Sequence, residues 1–169
     1  MDLVDRLART RVGTTHNQYA RSPLRRDRLR AYLEAHASAE IVLVGEAAGY
    51  RGARISGIPF TSERQLTGAG PTEATATIMH RVLDELCIEN EVLLWNVVPT
   101  HPGTRASNRR PTSAEVCASR PFLDELTCGR QVVAVGRLAA AVLDAPYVRH
   151  PSHGGARPFA EGLRRMLAR

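Results

Sequence analysis

Three polar side chains stand at the ends of short apolar runs. Glu46 follows Ile41-Val42-Leu43-Val44-Gly45, Asn96 follows Val92-Leu93-Leu94-Trp95, and His150 follows Tyr147-Val148-Arg149. A carboxylate can orient water or take its proton, and an imidazole can donate a hydrogen bond or move a proton near neutral pH. A carboxamide presents a donor and an acceptor together. Each residue also has a plainer use: Glu46 could cap a helix, Asn96 satisfy a turn, and His150 fill a core. Three such groups at three strand ends are harder to explain that way.

The elements that must position them read as strands alternating with helices. Residues 1–10 and 22–37 have helical character, the second segment carrying Leu24, Leu29, Tyr32 and Leu33. Continuous apolar runs at 41–44, 92–95, 131–136 and 147–148 predict buried strands. Residues 72–86, a segment opened by Thr112-Ser113-Ala114-Glu115, residues 138–143 and residues 159–167 predict the helices between and after them. Punctuated stretches at 45–71 and 96–111 read as loops. Such alternation implies a three-layer α/β/α sandwich around a central four-stranded parallel sheet, in one domain spanning 1–169, with amino-terminal helices over 1–37 and the α/β core over 40–169. Ligands bind such sheets at the carboxyl ends of the strands, where Glu46, Asn96 and His150 converge.

The basic side chains are 23 against 17 acidic ones, a formal charge of +6, and every one of the 23 is arginine. No lysine exists to form an imine, anchor pyridoxal or sit on a Walker phosphate. Gene composition could produce this bias; so could a need for phosphate contact, which the guanidinium fork suits. No apolar run reaches the roughly 18 residues that span a bilayer, and Met1–Thr10 lacks the apolar core of a secretion signal. A cytoplasmic, monomeric protein is expected. Cys87, Cys117 and Cys128 form no CxxC pair and read as small buried residues.

Five stretches in register resemble the uracil-DNA glycosylase superfamily: Gly45-Glu46-Ala47-Ala48-Gly49, Gly57-Ile58-Pro59-Phe60, Asn108-Arg109-Arg110-Pro111-Thr112, the Val132–Gly136 strand, and His150-Pro151-Ser152. The chain is most similar to the bacterial and archaeal branch with Gly-Glu-x-Pro-Gly first and His-Pro-Ser last. The resemblance implies that Phe60 stacks on a base flipped from the helix, and that Asn96 reads its Watson–Crick edge. It implies that amides of the Gly45, Ala47 and Gly49 turn contact base and phosphate, and that His150 stabilises the departing base. Ser152, His153, Gly154, Arg157 and Arg109 would then hold the DNA, with Gly155 lending an amide.

The chain departs from that pattern in several places. Ala47 replaces the water-orienting aspartate of the most active members, leaving Glu46 as the carboxylate for that task, and Ala48 replaces the usual proline. The related branch carries an iron–sulfur cluster on four cysteines. Here Arg9–Asn17 replaces the CxxC, Cys117 matches one ligand, and Thr100 or His101 stands at its partner's position, so no cluster is expected. A metal site on His101, His150 and His153 lacks a carboxylate or cysteine at matching spacing. After His-Pro-Ser only His153 and Arg157 are bulky enough to wedge a duplex, which favours single-stranded or mismatched DNA. The expected activity is that of a monofunctional glycosylase removing uracil or another deaminated base. The alternatives are a module that binds damaged or abasic DNA without catalysis, and an unrelated α/β enzyme acting on free nucleosides.

Overall fold

The computed structural model describes residues 1–167. Its centre is a parallel sheet in the order β2-β1-β3-β4, with β1 at Ile41–Ala47, β2 at Val92–Val98, β3 at Gln131–Val135 and β4 at Tyr147–Val148. β1 is buried on both faces, as its unbroken apolar run predicts. Val42 and Val44 pack with helices α1 (Leu3–Arg9), α2 (Pro23–Ala35), α6 (Ser113–Thr127) and α7 (Arg137–Leu143). Ile41 and Leu43 point the other way, onto α5 (Ala74–Glu85) and α8 (Ala156–Leu167). Helices on both faces of a four-stranded parallel sheet give the expected three-layer architecture. No described helix is long and apolar enough to cross a membrane.

Two strands outrun their apolar runs. β1 continues through Gly45, Glu46 and Ala47, and β2 through Asn96, Val97 and Val98, so residues expected in loops are held by the sheet. Register pairs Gly45 with Asn96 and Ala47 with Val98. The punctuated stretch after β1 contains two short helices, α3 (Ala53–Ser56) and α4 (Glu63–Thr67). Helix α6 starts where its sequence says it should. The Thr112 hydroxyl accepts from the Glu115 amide at 3.2 Å, and the Glu115 carboxylate accepts from the Thr112 amide at 2.9 Å.

The cysteines correct the sequence reading. Cys87, Cys117 and Cys128 are all exposed free thiols. Cys87 occupies a left-handed turn (φ +57) one residue past the cap of α5, Cys128 caps the end of α6, and Cys117 lies on that helix away from the buried Phe122 and Leu123.

Candidate active site

A cleft of about 530 Å³ opens at the carboxyl edge of the sheet. Its floor is Asn96 with the ring of Phe60. Asn96 is 3 % exposed, and its amide makes no hydrogen bond to any described residue. Phe60 lies directly over Gly45: a Cβ there would come within 2.2 Å of Phe60 Cζ and 3.0 Å of Asn96 Oδ1. Only glycine lets the ring settle beside the amide. Phe60 itself is left-handed at φ +51, a conformation held by its neighbours. The Ser56 hydroxyl donates to Thr61 O at 2.6 Å and accepts from Ile58 N at 3.1 Å. Thr61 Oγ1 lies 3.1 Å from His80 Nε2, and His80 Nδ1 meets Glu89.

Glu46 lines the same cleft, half-buried and without a hydrogen bond to any described residue. Burial pushes its carboxyl above the ordinary 4.5, opposed by the positive charge of Arg110. Glu73 enters from the segment before α5, a second carboxyl that sequence reasoning missed. It occupies the space that side chains at Gly49 and Gly52 would need, and burial raises it also above 4.5. Glu73 sits in Pro71-Thr72-Glu73, where no apolar pattern marks it.

His150 has a defined tautomer. The Ser152 amide donates to its Nδ1 at 3.2 Å, and Ser152 Oγ lies 2.8 Å from the same nitrogen. A backbone N–H can only donate, so Nδ1 is unprotonated and the ring proton of the neutral imidazole sits on Nε2. Burial, then the charge of His153, hold His150 below the ordinary 6.5, keeping it neutral. Ser152, expected on a phosphate, thus orients His150. Gly155 closes the turn: its amide donates to Ser152 O at 3.0 Å, and a Cβ there would lie 2.0 Å from His150 O. The Gly155 amide is therefore occupied within the chain rather than free for phosphate.

Nine expected residues line this cleft: Glu46, Ala47, Gly49, Phe60, Asn96, Arg109, His150, Ser152 and His153. Gly45 lies beneath it. Gly154 (φ +74) and Arg157 do not line it, and the Arg157 guanidinium holds Glu161 at 2.7 Å. Arg109 is on the wall, yet its guanidinium is committed to Glu115 at 2.6 and 2.8 Å and to Thr14 at 2.9 Å. Arg110 and Arg137 carry no such partner among the described residues and also line the cleft. In the sequence Gly136-Arg137 stands at the end of the third strand and Arg110 lies in the Asn108–Thr112 stretch, but the sequence alone assigns neither side chain a role.

The residues at the cluster position of the related branch do not fit a four-thiolate group. Thr100 is buried with Oγ1 at 2.7 Å from Thr15 Oγ1. His101 is buried with its ring nitrogens 2.7 Å from Ala48 O and 2.7 Å from Thr104 O. Cys117 is exposed on α6. Among the described residues no three His, Cys, Asp or Glu side chains gather as metal ligands.

The model of the family described as the uracil DNA glycosylase superfamily matches residues 33–166. No curated protein matches by sequence. The crystal structure of wild-type SMUG2 from Pedobacter heparinus shares the fold at a TM-score of 0.68 and 12% identity, covering 94% of this chain and 90% of that one.

Proposed function

The chain belongs to the uracil DNA glycosylase superfamily, and from that premise we propose that it is a monofunctional DNA glycosylase, hydrolysing the N-glycosidic bond of uracil or a related deaminated base and leaving an abasic site. The superfamily's members are DNA glycosylases, hydrolases that act on DNA. The observation that carries the reading is the cleft-facing amide of Asn96, which makes no hydrogen bond to any described residue, beside the Phe60 ring. A base flipped into the cleft would stack on Phe60 and place O4 and N3–H against that amide. Cytosine, which reverses donor and acceptor at position 4, would be disfavoured.

In the proposed reaction the C1′–N1 bond breaks and its electron pair leaves with the base. Charge collects on the base oxygens, and His150 Nε2–H donates to O2 as it grows. Glu46 accepts a proton from the water whose oxygen bonds to C1′. The proton is released to solvent and the base is protonated in turn. No cofactor takes part, and DNA is the partner.

A second reading rests on Ala47. Its methyl lines the cleft where the most active relatives carry aspartate, and a methyl cannot orient water. The chain would then bind damaged or abasic DNA without cutting the base. Oligonucleotides carrying uracil, hypoxanthine or xanthine, single-stranded and opposite each base, separate the readings. Alkali-labile breaks at the damaged base support the first, and borohydride should trap no side-chain complex, since the chain has no lysine. Tight binding with no breaks supports the second; neither binding nor breaks overturns both.

A further inference from the structure

Across much of the surface, arginines meet carboxylates. Arg28 pairs with Glu63, Arg30 with Asp2, Arg109 with Glu115, Arg120 with Asp124 and Arg164 with Glu85. One region gathers guanidiniums held by backbone carbonyls instead, where the amino-terminal segment, α3 and the loop 99–112 come together. Arg54 on α3 donates Nε to Tyr50 O at 3.2 Å and Nη2 to Arg105 O at 3.3 Å. Arg25 on α2 donates Nε to Ile55 O at 2.7 Å. Backbone carbonyls fix these guanidiniums in place without cancelling their charge. Exposed Arg105 and His16 complete the group.

The guanidiniums act on one another and disfavour a charge on the His16 ring. Arg105 and Arg25 oppose the charge of Arg54, and Arg54, Arg25 and Arg105, with His101, oppose the charge of His16. Burial first, and then these charges, push both Arg54 and His16 below their ordinary values. Among the described residues neither Arg54 nor His16 makes an ion pair with a carboxylate. Gathering like charges with no counter-ion is unfavourable unless an outside anion supplies it.

The patch adjoins the cleft. Arg54 N donates to Gly49 O at 3.1 Å, and Tyr50 N donates to Asn108 Oδ1 at 2.9 Å. Gly49 and Asn108 both line the cleft. We propose that Arg25, Arg54, Arg105 and His16 form a binding surface for the phosphodiester backbone of the DNA strand flanking the nucleotide held in the cleft. The identity of the anion rests on the glycosylase reading; the need for one rests on the unpaired charges. A guanidinium contacts two phosphate oxygens at once, so the group suits a polyanion more than a single small ion.

The test is fluorescence anisotropy of the full chain on a labelled single strand with a central uracil, titrated across a salt series. Arg105→Gln, whose side chain has no internal hydrogen bond to lose, should weaken binding several-fold. It should also make the log–log salt dependence shallower by about 0.7 for the lost phosphate contact. Adding Arg54→Gln should deepen both effects. Arg120→Gln, which removes a paired arginine on α6, is the control and should leave the slope as it was. An Arg105→Gln protein with the parent's affinity and slope overturns the proposal. The same samples assayed for base release keep the readings apart: a flattened slope with no excision by any protein sinks the enzyme and spares the surface, and excision with an unchanged slope does the reverse.

Discussion

The Asn96 carboxamide opens onto the cleft and makes no hydrogen bond to any described residue, so it is best understood as a group whose partners arrive with a ligand. Asn96→Ala should therefore abolish base excision with little change in the melting temperature; undiminished uracil release would remove Asn96 from the site. His150→Ala should slow single-turnover excision by about 10²–10³-fold with little change in DNA affinity, and the opposite split would make His150 a binding residue. Glu46 must be ionised to take a proton, and burial raises it above 4.5. The single-turnover rate should accordingly fall as acid protonates Glu46 above that value. Neutral His150, pushed below 6.5, does not impose a limb at the ordinary histidine position. Glu46→Gln should lose about 10²–10⁴ in rate together with the limb; a limb that survives belongs to another group. These three residues were legible because each ends an apolar run, and parallel sheets bring such ends to one edge. Glu73 and the tautomer-setting use of Ser152 were not, since both depend on how separate loops fold against each other.

Among the elements, Glu115 joins segments that the chain holds far apart. Its carboxylate accepts from Thr14 N at 3.3 Å, from Thr112 N at 2.9 Å and from the Arg109 guanidinium, tying the amino-terminal segment, the loop 99–112 and the start of α6. The Arg109 guanidinium first, with those amides, holds its carboxyl down at about 2 against an ordinary 4.5. A lowered carboxylate stabilises the fold above 4.5 and loses that contribution as pH falls towards 2. The difference corresponds to about 3 kcal/mol. Glu115→Gln should lower the neutral-pH melting temperature and flatten its dependence below pH 4.5; an unchanged acid profile would show the lock to be unimportant. The cap of α6 was readable from Thr112 and Glu115, whereas its long-range ties were not. Helices α3 and α4 were hidden for a related reason. Their few polar and small residues show no periodicity, and their places are set by Arg25 on Ile55 O and Arg28 on Glu63. The exposed cysteines show the limit of residue-type averages, because two sit at helix ends, where chain direction changes at the surface.

For the whole molecule, the all-arginine basic set gains a spatial meaning from the fold: some guanidiniums are spent on internal carboxylates, while Arg110, Arg137 and the Arg54 group are left around one opening. The parallel topology has its own effect on how the molecule comes into being. β1 lies between β2 and β3, and the register sets Ile41 against Gln131, 131 − 41 = 90 positions later in the chain. At roughly 5–20 residues per second on the ribosome, the Ile41–Val44 segment waits about 5–18 s for its second neighbour to be made. Nascent chains stalled before residue 131 should remain protease-sensitive in β1, and chains released at full length should not; early protection would mean that β1 and β2 close without β3. Until that neighbour arrives, the strand that will later carry Glu46 is an apolar edge open to any other chain, which makes biosynthesis the stage at which this protein is most exposed to aggregation.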